Sequence, residues 1–131
     1  MLLTVALWVG LGIVAALAVA LLLLRPKSST PNEITAAQAY GKIQAGALVV
    51  DVRSQEEWNQ GHIASSVLIP LDELPNRLNE LPKDRDIVVV CHTGVRAKEG
   101  ATILGNSGFT RVSCLSGGLQ AWVAAGYPVQ Q

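Results

Sequence analysis

Cysteine, aromatic rings and net charge are all scarce in this sequence. Two cysteines among 131 residues cannot staple a chain of this size, so a disulfide scaffold is excluded. Ten basic side chains balance ten acidic ones, which leaves no overall field to hold a nucleic acid. Charged residues make up only 15% of the chain against 50% apolar ones. That ratio excludes a disordered polymer, and the length fits one domain.

The missing charge is not spread evenly. Residues 1–24 carry no charged side chain, and only Thr4, Gly10 and Gly12 interrupt their apolar run. Every charge lies in the other 107 residues, whose composition is that of an ordinary soluble domain. As a helix, residues 2–24 would extend about 35 Å, enough for a hydrocarbon core of about 30 Å. A cleaved signal peptide is the rival reading. It needs a basic amino-terminal flank, a shorter apolar stretch and a small-residue cleavage site. The flank has no Lys or Arg, and although Ala16, Ala18 and Ala20 mimic a site, a cut after Ala20 would leave residues 21–24 at the new amino terminus with no polar spacer. The sequence therefore predicts a single-pass transmembrane helix over 1–24 that anchors the chain in the cell (inner) membrane. Arg25 and Lys27 follow it, and basic flanks stay on the cytoplasmic side, so the domain is expected to face the cytoplasm. Gly12, Ala16 and Ala20 recur every four residues, a small-residue spacing that can pack two such helices together, although alanine is in any case common in transmembrane helices. A membrane-protein partner is a further expectation.

Residues 25–33 are polar with two prolines and read as a linker, so the domain is expected over 34–131. From there helical and strand patterns alternate. Thr35 caps a helix over 36–45. A buried strand follows over 47–52. Ser54 and Glu57 have the spacing of a capping box and open a short helix over 55–60. A strand is expected at 67–69, and leucines 74, 78 and 81 have helical spacing within 72–81. Residues 87–91 (IVVVC) form the strongest strand, followed by a helix over 95–106, a strand over 112–115 and a helix over 118–125. This alternation predicts an α/β fold with a mainly parallel central sheet flanked by helices. The run of β-branched residues before Cys91 places its strand between two covered faces.

Open α/β sheets hold ligands at the carboxyl ends of their strands, which is where Cys91 falls. Cys91, His92, Thr93, Gly94, Val95 and Arg96 then form a strand-to-helix loop. Its backbone N–H groups, at a helix start, would converge on an anion. Together with Arg96 they favour a thiolate, and Gly94 permits the turn. The alternative is a free cysteine that merely ends a buried strand.

The segment CHTGVR (91–96) resembles the active-site loop of rhodanese-type sulfurtransferases. DVRSQEEWNQGHI (51–63) and LSGGLQAWVAAGYPV (115–129) resemble further elements of that family. The matches fall in order and span nearly all of the charged part of the chain. The resemblance implies a rhodanese-like fold and an activity that needs no cofactor. Cys91 would take the outer sulfur of a small anionic donor such as thiosulfate, becoming a persulfide, and pass it to a thiol or cyanide-like acceptor. Residues 92–96 would bind the donor, with Arg96 pairing with its charge. Asp51 and Arg53 would support the loop from beneath. His62 reads as a packing residue rather than a base, Cys114 as a core cysteine rather than a resolving thiol, and Trp58 and Trp122 as core anchors. His92 either tunes the thiol or touches the acceptor, or is simply an exposed loop side chain, and the residues favour neither.

Four residues separate Cys91 from Arg96, one fewer than tyrosine phosphatases use, so the loop suits a sulfur atom better than a phosphate. Two departures from the family stand out. Ser65-Ser66 replaces a Gly-Ala pair, and Ala97 replaces a hydroxyl residue after the loop arginine. Two histidines and two cysteines without paired spacing predict no metal site. A non-catalytic module that recruits partners to the membrane is the second functional reading. Such modules usually lack the cysteine.

Overall fold

The computed structural model describes residues 2–24 and 30–131. Helix α1 spans Leu2–Leu23. The domain that follows contains β1 (Glu33–Ile34), α2 (Ala36–Gln44), β2 (Leu48–Asp51), α3 (Gln55–Asn59), β3 (Val67–Leu68), β4 (Ile87–Val90), α4 (Val95–Asn106), β5 (Val112–Leu115) and α5 (Gly118–Ala124). The strands make one sheet in the order β1-β5-β4-β2-β3, and every pairing is parallel.

Alternating side chains of the strands supply two core layers, because successive residues point to opposite faces. Val50, Ile87, Val89 and Cys114 pack with Leu74, Ala97, Ala101 and Leu104 beneath α4. Val49, Val88, Val90 and Leu115 pack with Ala39, Leu119 and Trp122 beneath α2 and α5. All four residues of β4 are buried. This follows from its unbroken Ile-Val-Val-Val run, which suits a central strand covered on both faces.

The local signals at the two short helices act as their chemistry dictates. Thr35 and Ser54 each accept a hydrogen bond from the third helical N–H, and Gln38 and Glu57 reach back to the cap N–H. Each box satisfies donors that a helix start leaves unpaired.

Three expectations need correction. The helix expected over 72–81 is two 3₁₀ turns, Leu74–Asn76 and Leu78–Glu80. Pro75 lacks a donor for a longer helix, and Leu81, which precedes Pro82, is extended as a residue before proline prefers. Leu74 and Leu81 are buried all the same. The second correction concerns the start of the domain. Glu33 lies in β1, not in a linker, and pairs with Cys114, so the sheet begins one residue before the expected boundary. Residues 25–29 of the expected linker lie outside the described residues. Third, Trp58 is only half-buried. It stacks on the His62 ring at 3.7 Å instead of entering the core.

Taken over the described residues alone, no helix is long and apolar enough to cross a membrane. The side chains of residues 1–5 and 7 lie outside that description, and α1 reaches its 22 residues only with them.

Candidate active site

Chain direction brings the site together. From β2 the chain moves outward to β3, crosses back to β4, and then continues the other way to β5, which lies between β4 and the earlier edge strand β1. The reversal leaves a crevice at the carboxyl ends of β2 and β4, where open α/β sheets place ligands. Asp51 ends β2 opposite Val90, and Cys91 follows Val90 directly.

Cys91 lies at the floor of its loop with 1% of its surface exposed. The Gly94 N–H donates a hydrogen bond of 3.0 Å to the Cys91 Sγ. Gly94 makes this turn at φ +103° and caps α4. The first helical N–H to find a backbone acceptor is that of Lys98, on the Gly94 carbonyl at 3.2 Å. The N–H groups of residues 95–97 therefore form the open start of a 12-residue helix, which carries partial positive charge.

The loop is held from its other side by α5. The Leu119 N–H donates to the Cys91 carbonyl at 2.8 Å, and the Gln120 N–H donates to the His92 carbonyl at 3.1 Å. Gly118 makes this approach possible. A Cβ there would lie 2.6 Å from the Cys91 carbonyl oxygen and would also run into His92, and its φ is +60°. The paired glycines 117 and 118 carried no chemistry as sequence. Their role depends on an approach between segments about 25 residues apart.

Asp51 and Arg53 are nearly inaccessible. The Arg53 Nη2 donates to Asp51 Oδ2 at 2.8 Å, and its Nε donates to Oδ1 at 3.0 Å. The same guanidinium donates to the carbonyls of Gly61 at 2.8 Å and Glu57 at 3.3 Å. This pair is satisfied internally and braces the ends of β2 and α3. His62 is also buried. Its Nδ1 lies 3.1 Å from the Trp58 carbonyl, and its backbone bridges to Gln130. His92, Thr93 and Val95 are exposed on the loop.

Arg96 departs from the sequence reading. Its two terminal nitrogens donate to Glu57 Oε1 at 2.7 Å and Oε2 at 2.8 Å, so its charge meets a carboxylate of the chain itself. The Arg96 bond holds the Glu57 carboxyl down at about 2, despite partial burial, which acts in the opposite direction. Glu57 escaped the sequence analysis as a site residue, because its partner lies 39 positions away and the capping box already accounted for it. Cys114 is buried in β5, and burial pushes its thiol up. Among the described residues no three metal-ligating side chains gather.

Comparison with known proteins agrees with this architecture. The family described as rhodanese-like domain matches residues 35–125. A sulfurtransferase of Allochromatium vinosum is 39% identical over 82 residues, covering 63% of this chain and 77% of the relative. The thiosulfate sulfurtransferase GlpE of Stutzerimonas stutzeri is 33% identical over 85 residues, covering 65% of this chain and 78% of the relative. The crystal structure of a rhodanese-related protein from Thermoplasma volcanium superposes with a TM-score of 0.71 at 35% identity, covering 76% of this chain and 97% of that one.

Proposed function

Because the chain belongs to the rhodanese-like domain family, we propose that it is a sulfurtransferase with Cys91 as its nucleophile. The observation that carries this reading is the hydrogen bond from the Gly94 N–H to the Cys91 Sγ, beside the open N–H groups at the start of α4. The sulfur closes an apolar layer, yet a backbone donor is aimed at it, and such a donor is what a nucleophilic sulfur in a strand-to-helix loop uses.

The Cys91 thiolate attacks the outer sulfur of a sulfane donor. With thiosulfate, a new S–S bond forms to Cys91, the S–S bond of the donor breaks, and sulfite leaves with the electron pair. The persulfide charge then rests on the outer sulfur, where N–H groups of residues 92–96 receive it. A thiol or cyanide-like acceptor attacks that sulfur, and Cys91 leaves as thiolate. Atoms and charge balance in both halves, and the kinetics are ping-pong. Asp51 and Arg53 keep the ends of β2 and α3 in register beneath the loop and touch no donor.

Steady-state thiosulfate:cyanide sulfur transfer tests the reading. Wild type gives parallel double-reciprocal lines and Cys91→Ser gives no transfer. Turnover by Cys91→Ser equal to wild type contradicts it.

We also propose that α1 anchors the domain in the cell (inner) membrane with residues 30–131 on the cytoplasmic side. Its support is the 22-residue helix without a charged side chain, the exposure of its described apolar residues such as Trp8, Leu11, Val14, Leu17 and Leu21, and the basic pair Arg25 and Lys27 beyond it. An alkaline phosphatase fused to the carboxyl end stays inactive under this topology, and an active fusion overturns it.

A further inference from the structure

The chain enters its domain at one end of the sheet, and Cys91 lies at the other. All strand pairings are parallel, so every strand starts at the same end. Thr30 and Pro31 lie toward that end, where they line a depression with Phe109 and Thr110, the residues that lead into β5. The Asn32 carbonyl then accepts from the Cys114 N–H at 2.8 Å. Only residues 25–29 separate Leu24 from Thr30. Their reach is about 20 Å at most, less than the width of roughly 30 Å expected for a domain of this size. With α1 in a bilayer, the amino end of the sheet is the end held near the headgroups.

That end is basic. Lys42, Lys83, Arg85 and Arg111 gather where the chain leads into β2, β4 and β5, against Asp84 and Asp86. Asp86 serves two of the four. The Arg111 Nε donates to its Oδ1 at 2.8 Å, and the Lys42 Nζ lies 3.9 Å from its Oδ2. Arg85 donates to the Gly46 carbonyl at 2.6 Å, and the Lys83 Nζ lies 5.3 Å from the centre of the Phe109 ring. Among the described residues neither is ion-paired, and both are exposed. Glu80, the next acid before them in the chain, is closed on Arg77 at 2.7 Å. The face therefore keeps a surplus of two positive charges. Toward the carboxyl end, Arg53, Arg96 and Lys98 are each closed on a carboxylate.

We propose that the basic face formed by Lys42, Lys83, Arg85 and Arg111 docks on the anionic lipid headgroups of the membrane that holds α1, and so keeps the Cys91 crevice facing away from the bilayer. This rests on the anchoring proposed above. Anionic lipids give the cytoplasmic leaflet a negative surface potential, which attracts basic groups lying within about one screening length of it. The short connection holds this face, and not the crevice, within that range.

The test uses full-length protein in nanodiscs of phosphatidylcholine, alone or with about one-third phosphatidylglycerol as the anionic lipid. An uncharged ester acetylates exposed lysines, and mass spectrometry reads the labelling of Lys83 relative to Lys98, an exposed lysine of α4. The ratio is independent of how much protein each disc holds. It falls at least threefold in the anionic discs and recovers in about 1 M salt, where the screening length is about 3 Å. Arg85→Glu cancels the surplus of two charges and abolishes the fall, at a position remote from the Cys91 loop. A chain held in both kinds of disc with equal ratios overturns the proposal and leaves the anchor standing. A fall that survives Arg85→Glu also overturns it, as does protection of Lys98 in place of Lys83. A chain that elutes apart from both kinds of disc defeats the anchor and this inference with it.

Discussion

At the scale of single residues, the site depends on what is absent from a side chain as much as on what is present. Cys91 was legible because a cysteine closing an apolar β-branched run falls at the carboxyl end of a central strand. Gly118 was not, since only the fold brings its backbone against Cys91 and His92. Gly118→Ala tests the point. The added methyl meets the Cys91 carbonyl oxygen at 2.6 Å in a left-handed backbone, so the loop or α5 must shift. The variant loses on the order of 2 kcal/mol of stability, measured by urea unfolding, and at least tenfold in sulfur transfer. Unaltered activity would mean that α5 does not hold the loop. Ser65 illustrates the converse. It adopts φ +63° where the family resemblance leads one to expect glycine, so this turn keeps its shape with a residue that resists it.

At the scale of elements, strands and helices whose signals are local were read within a residue or two. IVVVC became β4, and the Thr35 and Ser54 caps start their helices where their spacing puts them. The segment 72–81 misled because its leucine spacing is helical while Pro75 and Pro82 bound it too closely for an α-helix. Strand β1 is two residues long and exists only through its pairing with β5, so no periodicity announces it. The ion pair between α3 and α4 is of the same kind. Each partner is visible alone, but the pairing of Glu57 with Arg96 is a product of topology. Its pH signature is specific. The Glu57 carboxyl sits at about 2 instead of 4.5, so the folded state holds its charge more tightly than the unfolded chain does. The stabilisation is complete above about pH 4.5, declines as pH falls, and is gone below about pH 2. Partial exposure of both side chains limits it to about 1 kcal/mol. Carboxyl chemical shifts should give a midpoint near 2 for Glu57 in wild type and one nearer 4.5 in Arg96→Gln. A wild-type midpoint near 4.5 would show that the pair does not persist in solution.

At the scale of the whole molecule, two unlike compositions share one chain. Residues 1–24 hold no charge, and the rest of the chain holds twenty charges that cancel. Electrostatic guidance is therefore local. Under the sulfurtransferase proposal an anion is drawn to Cys91 by the N–H groups at the start of α4. The anchor proposal follows from the first composition. Full-length protein is expected to stay in the membrane pellet after carbonate washing, and a chain beginning at residue 30 to remain in the supernatant. Recovery of the full-length chain in the carbonate supernatant would contradict anchoring.

The central claim is that Cys91 carries sulfur. Its most direct test is intact-protein and peptide mass spectrometry after brief exposure to a sulfane donor and removal of the excess. Wild type gains the mass of one sulfur atom, located on the peptide containing Cys91 and lost on addition of cyanide, while Cys91→Ser gains nothing. A sulfur adduct on Cys114 alone, or none on Cys91 with any donor, would contradict the account.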